Sequence, residues 1–197
     1  RSCKVDCSWN DFGSCEPPFS ADAGPNPNVL VVDATGATVS GTFTMPKDVK
    51  IKAVETTVLG SPIACPVSTL VSSRQTQFSY VTVQNTAGTP VRVSIWASET
   101  PTGGSVDTIM AVYEGPVPPN DLDDDGRKRC MAGTVTNDDC SSQSGVCDGG
   151  FSGLMADSDE GDQSVTIPAN SSVTVYTARY FGNTSDTEYQ LNVRAEL

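Results

Sequence analysis

The chain contains no histidine. That absence removes Ser-His-Asp and Cys-His catalysis, imidazole metal sites and the commonest general base at neutral pH. Long apolar runs are missing too. The longest are "VLVV" at 29–32 and "IMAVY" at 109–113, far short of the roughly 20 residues of a membrane helix, so no membrane insertion is expected. Basic residues are scarce: 12 Lys and Arg stand against 24 Asp and Glu, a formal net charge of −12. Such a surface repels phosphate and anionic lipid, which argues against a nucleic-acid partner. Cations, neutral sugars and other proteins remain compatible. No Gly-rich phosphate loop of P-loop or Rossmann type occurs. The acidic residues lie in polar loops without flanking aromatics to form a sugar cleft, so a two-carboxylate glycosidase is not expected.

Hydrophobic residues make up only 37% of the 197, so the apolar positions must be concentrated in a regular pattern. A single domain of this length buries roughly 70% of its extended surface, enough for a sizeable core. Cysteine is the exception to the general sparseness. Cys3, Cys7, Cys15, Cys65, Cys130, Cys140 and Cys147 form two clusters and one isolated position. Zinc would favour C-x2-C pairs, often with histidine. The spacings C-x3-C, C-x7-C, C-x9-C and C-x6-C suit disulfides in an oxidising compartment better. A Cys140–Cys147 bridge would close a short loop, worth about 2.5 kcal/mol on the chain-entropy model. An odd total leaves one thiol buried or paired outside the chain. "RSCKVDC" at the start has no apolar core of a signal peptide, which suggests a secreted chain whose leader has been removed.

Residues 1–27 carry three cysteines, four prolines, Trp9 and Phe12 with no helical or alternating period. They read as an irregular arm pinned by disulfides. From about residue 28 onward the pattern is strand-like. "NVLVVD" reads as a short buried strand, and "ATVSGTFTM" is rich in threonine. In "VKIKAV", Val49, Ile51 and Ala53 share a face opposite Lys50 and Lys52. Val91, Val93 and Ile95 point inward, with Arg92, Ser94 and Trp96 opposite. Tyr189, Leu191, Val193 and Ala195 alternate with Gln190, Asn192, Arg194 and Glu196. One packed and one wet face is the behaviour of antiparallel sheets. Turn signals such as "NTAGTP", "IPANSS" and "FGNTSD" separate the runs, and no window has apolar positions at helical spacing. About nine or ten strands with such turns predict an all-β, antiparallel β-sandwich of jelly-roll type over 28–197. A long acidic, cysteine-containing insertion interrupts it at 114–163.

Within that insertion, "NDLDDDGRKRC" alternates Asp121, Asp123 and Asp125 ahead of Gly126. Calcium takes six to eight oxygens, and alternating aspartates on a tight turn supply several. An EF-hand needs a bidentate Glu at its twelfth position, which here is Ala132, and Arg129 falls at the ninth. The stretch is therefore half a Ca²⁺ site. Asp138 and Asp139, or the run Asp157, Asp159, Glu160 and Asp162, would complete it. The alternative is that these aspartates simply favour turns and solvated loops. Asn170 and Asn183 each begin an N-x-S/T sequon, a glycosylation candidate for a secreted protein. Trp96 and Tyr176 lie on strands, either as a binding face or, more simply, as packing.

The order of elements in the second half carries a resemblance. "VDTIMAVYEG" at 106–115 is followed by Cys130, "NDD" at 137–139 and "GFSGLMA" at 150–156. "SVTIPANSSVTVYTARYFGNTSDTEYQLNVR" completes the series. Over about residues 90–195 this resembles the bacterial pre-peptidase C-terminal (PPC) domain family and its secreted relatives. The resemblance implies a non-catalytic jelly-roll sandwich of secreted or surface proteins, some of which bind collagen or polysaccharide and some of which use calcium. Two departures are the long cysteine-rich insertion around "NDD" and the lack of a peptidase ahead of the domain. The expectation is an extracellular or cell-surface structural or adhesive protein, stabilised by disulfides and calcium. Its partners would be copies of itself, joined into a fibre through the N-terminal arm, or a surface protein or polysaccharide. The alternative is a carbohydrate- or protein-binding accessory module of a secreted hydrolase.

Overall fold

The computed structural model describes residues 28–48, 50–55, 69–98, 100, 108–116, 129–133, 153–156, 162–179 and 185–197. These residues form eleven strands and no helix. In order they are β1 (Asn28–Val32), β2 (Thr38–Met45), β3 (Lys50–Glu55), β4 (Thr69–Asn85), β5 (Val91–Ser98) and β6 (Thr108–Glu114). There follow β7 (Cys130–Gly133), β8 (Gly153–Leu154), β9 (Val165–Ile167), β10 (Ser171–Arg179) and β11 (Thr187–Glu196).

Two sheets result. The first runs β1-β4-β10-β6-β7, with β3 also on β4; the second runs β2-β11-β5-β8, with β9 also on β5. The alternation in the sequence sets what faces the gap between them. Val91, Val93, Ile95 and Ala97 of β5 meet Tyr189, Leu191, Val193 and Ala195 of β11 in one core cluster. The first sheet answers with Val81 and Val83, Val173 and Val175, and Met110 and Val112. Burying aliphatic side chains from both sheets stabilises each by about 1.5–3 kcal/mol relative to exposure. This interleaved core is what makes the fold a β-sandwich.

Three expectations need correction. The sheets are not wholly antiparallel, because β1 pairs β4 in parallel from Asn28↔Val81 to Val32↔Asn85. "NVLVVD" is not a buried strand: Leu30 and Val32 are buried, but Val29 and Val31 are 46% and 47% exposed. An edge strand shows one face to the core and the other to its sheet's outside, so an apolar run need not be buried throughout. Finally, the 114–163 insertion is not only a loop. It supplies β7, which extends the first sheet beside β6, and β8, which pairs with β5 of the second. The arm at 1–27 lies outside the described residues, as does Val49; Ile51 and Ala53 belong to β3, but their side chains fall outside the description.

β4 is long because it serves two further partners in succession along its length. Its first part, from Thr69 to Gln77, carries antiparallel β3, and its last part, from Val81 to Asn85, carries β1. The turn between β9 and β10 holds Asn170 at φ 51°, a left-handed conformation that asparagine tolerates better than most residues. Its N–H donates to Ala87 O at 3.1 Å, tying this turn to the β4–β5 turn.

Candidate functional site

The two sheets turn very different outer faces away from the core. In the second sheet that face is polar and cross-linked. Ser40 Oγ donates to Asn192 Oδ1 at 2.7 Å, and Asn192 Nδ2 donates to Ser98 Oγ at 2.9 Å. Arg194 donates to Glu196 Oε1 through Nε at 3.1 Å and Nη2 at 2.9 Å. Ser94 Oγ donates to the same carboxylate oxygen and accepts from Ala156 N–H. Trp96 is only 8% exposed, and the Arg194 guanidinium carbon stands 5.9 Å from its ring centroid. A sugar-stacking platform needs an open indole face. Here the ring is packed and its cation site is filled by the chain itself.

The outer face of the first sheet is apolar, and its registers explain how. Tyr176 of β10 lies between Tyr80 of β4 and Ala111 of β6; Ala178 lies between Phe78 and Ile109. The small alanines leave room for the rings of their neighbours. Phe78 and Tyr80 meet edge-on at 5.2 Å between centroids, while Tyr176 lies 6.0 Å from Phe78 and 5.6 Å from Tyr80. These are the tilted and offset separations that aromatic rings prefer. Tyr113 and Cys130 continue the patch to β7. Ile109, Ala111, Tyr113, Tyr176 and Ala178 are all buried, forming a second cluster that draws, among the described residues, only on strands of this one sheet. The Tyr176 hydroxyl is buried and has no hydrogen-bond partner among the described residues. Trp96 and Tyr176 therefore belong to opposite outer faces and do not form a common site.

Burial pushes Tyr176 well above the ordinary phenol range, with Tyr80 and Tyr113 adding to the effect. In the central core, burial pushes Tyr189 up to about 12, partly opposed by its hydrogen bond to Ser79. A neutral acid whose folded pKa is raised contributes stability that is fully present below the unfolded pKa and is lost as pH rises towards the folded one. Stability should therefore hold to about pH 9 and fall above about pH 10, with about 1 kcal/mol lost by pH 11 from Tyr189 alone. Urea unfolding at both pH values checks this; equal stability at pH 9 and 11 would refute it.

The proposed calcium ligands Asp121, Asp123, Asp125, Asp138 and Asp139 lie outside the described residues. So do Asn183 and the cysteines other than Cys130. Among the described residues, no group of three or more His, Cys, Asp or Glu stands close enough to hold a metal. Asp162 is committed locally. Its Oδ1 accepts from Ser164 N–H and Oγ–H, its Oδ2 accepts from Arg92 at 2.9 Å, and the Ser164 bonds hold its carboxyl below the usual range. Arg129 donates from Nη1 to Glu114 O at 3.0 Å and so fastens the start of β7 to the end of β6. Cys130 sits half-buried on β7, with its sulfur 3.5 Å from Ala132 O. Asn170, the first sequon, is exposed on its turn. Sequence reasoning missed the aromatic outer face. The signal was there in "QFSYV" and "VTVYTA", where aromatics occupy the positions opposite the core valines.

No protein-family model, curated protein or solved structure matches the chain.

Proposed function

We propose that this is a non-catalytic extracellular protein with a structural or adhesive role at a cell surface. In this reading the sandwich is a jelly roll of the PPC type, braced by disulfides and by Ca²⁺ on the aspartates of the 114–163 insertion. Copies join into a fibre through residues 1–27, by strand addition at an open sheet edge. The observation that carries the reading is edge strand β1. It pairs only with β4 among the described residues, presents Val29 and Val31 half-exposed, and continues directly from the cysteine-bearing residues 1–27. A β-branched edge strand is a template for a further strand. Seven of the ten successive strand pairs are split between the two sheets, which supports the jelly-roll assignment, while β3–β4, β6–β7 and β8–β9 stay within one sheet. The packed state of Trp96 weighs against the alternative, a carbohydrate-binding accessory module.

Light scattering and electron microscopy of the purified chain, with mass spectrometry under non-reducing conditions, test this together. Concentration-dependent assembly into filaments is expected, and millimolar Ca²⁺ should raise the unfolding temperature while chelator lowers it. A strictly monomeric species at every concentration, indifferent to calcium, would overturn the reading.

A further inference from the structure

The outermost strands of the two sheets are defended unequally. β8 and β9 have two and three residues, and β7 has four. β3 carries Lys50, Lys52 and Glu55 and shifts register between Lys52 and Val54. β1, which the reading above gives to residues 1–27, has five residues. Shortness, charge and bulges are the devices that keep a sheet edge from pairing with another chain. β2 has none of them. It runs for eight residues in unbroken antiparallel register with β11, from Thr38↔Arg194 to Met45↔Thr187. No charged residue stands between Asp33 and Lys47. Among the described residues β2 pairs with β11 alone, so about half of its N–H and C=O groups point away from the sheet. We propose that β2 pairs antiparallel with β2 of a second copy across a two-fold axis, so that the second sheet continues from one molecule into the next.

The strand's own pattern selects a copy of itself as the occupant. Residues opposite one another in an antiparallel pair lie on the same face, so outer positions must meet outer positions. With Gly41 on the axis, Thr38 stands opposite the partner's Thr44, and Ser40 opposite the partner's Thr42. These four side chains are exposed on the outer face. On the core side, Val39 stands opposite the partner's Phe43, and both already pack against the central cluster. Hydroxyl thus meets hydroxyl and apolar meets apolar, pairs that stabilise a ladder. No charge is set opposite a like charge, which matters between two molecules of net charge −12 each. A two-fold contact uses the same strand on both molecules and therefore closes at a dimer. It involves β2 and not residues 1–27, so it stands apart from the fibre.

Sedimentation and amide exchange of the full chain test this. A concentration-dependent monomer–dimer equilibrium is expected. Salt screens the repulsion between two acidic molecules, so the dimer should tighten from about 0.05 M to about 0.5 M NaCl. Amides of β2 should gain protection as concentration rises, while those of β3 and β9 should not change. Thr42→Lys places a cation on the exposed side of β2 and should weaken the dimer roughly tenfold, the change that about 1.4 kcal/mol gives. Thr166→Lys makes the same charge change on exposed β9 and should leave the dimer intact. A chain that stays monomeric across concentration and salt would overturn the proposal. So would a dimer that Thr42→Lys leaves as tight as before. Assembly whose new protection falls on β1 and residues 1–27, with β2 amides unchanged, would overturn it and favour the fibre. A dimer protected at β2 that never grows into filaments would uphold it and reject the fibre.

Discussion

Asn85→Leu should destabilise the fold by about 3–5 kcal/mol, although it replaces a polar residue in the core by an apolar one. Asn85 is fully buried at the end of β4. Its Nδ2 donates to Thr89 O at 2.9 Å, Ile167 O at 3.1 Å and Pro168 O at 3.0 Å. Its Oδ1 accepts from Ala87 N–H at 2.8 Å. One amide group thus satisfies the backbone of the β4–β5 turn and of the β9–β10 turn together. Leucine removes all four bonds and leaves the Ile167 carbonyl, the one in a buried bond, dry as well, at a cost of about 1–3 kcal/mol for a group that water cannot reach on top of the bonds lost. Asn85→Asp is the sharper probe because it keeps the shape. At neutral pH it sets a carboxylate against three carbonyl oxygens, so its loss should match or exceed that of leucine. Burial and those carbonyls favour the protonated acid, raising its folded pKa above the unfolded value. The deficit should therefore shrink as pH falls through that range. Urea unfolding at about pH 4 and pH 7 checks both statements. A neutral-pH loss below about 1 kcal/mol would show that the turns are held by something else.

Tyr189→Ala should cost about 3–5 kcal/mol, in the range of other large-to-small core substitutions. Tyr189 lies on β11 with no exposed surface, its ring 6.0 Å from that of Phe43. Its hydroxyl shares a 2.5 Å hydrogen bond with Ser79 of β4, on the opposite sheet. The residue therefore contributes apolar volume and a polar tie across the core. The two parts can be separated. Tyr189→Phe keeps the volume and should lose only about 1 kcal/mol, with Ser79 left unpaired, while Ser79→Ala in the same background should add little. Thermal or denaturant unfolding of the three variants checks this. Equal losses for Tyr189→Phe and Tyr189→Ala would place the whole effect in the hydrogen bond and none in the packing.

The strands that were legible in the sequence are those whose alternation has a polar side, even where that side is buried, as at Ser94 and Asn192. β5 and β11 show it cleanly, because Arg92, Ser94, Asn192 and Arg194 mark the face away from the core. β10 was misleading for the same reason. Its outer positions Tyr176 and Ala178 belong to an apolar cluster and mark no polar side. β7 and β8 were invisible. Two to four residues amid glycine and aspartate carry no period, and they become strands only because β6 and β5 offer open ladders. The parallel pairing of β1 could not be read at all, since register and direction come from long-range partners and not from local pattern. Asn85 looked like an ordinary turn residue. Its importance depends on carbonyls more than eighty positions away in the sequence.

The parallel β1–β4 pair has a mechanical consequence. β1 runs for five residues from Asn28 to Val32, and Leu197 packs beside Gly36 just beyond its far end. Asn28, level with Val81 and Val175, and Leu197, beside Gly36, are therefore separated along the strand direction. Tension applied between them pulls β1 lengthwise against β4 and β11 lengthwise against β2 and β5. Every ladder bond in those pairs is loaded at once rather than peeled one after another. Under such a load the lifetime of the fold is set by its rate of unfolding and not by its equilibrium stability.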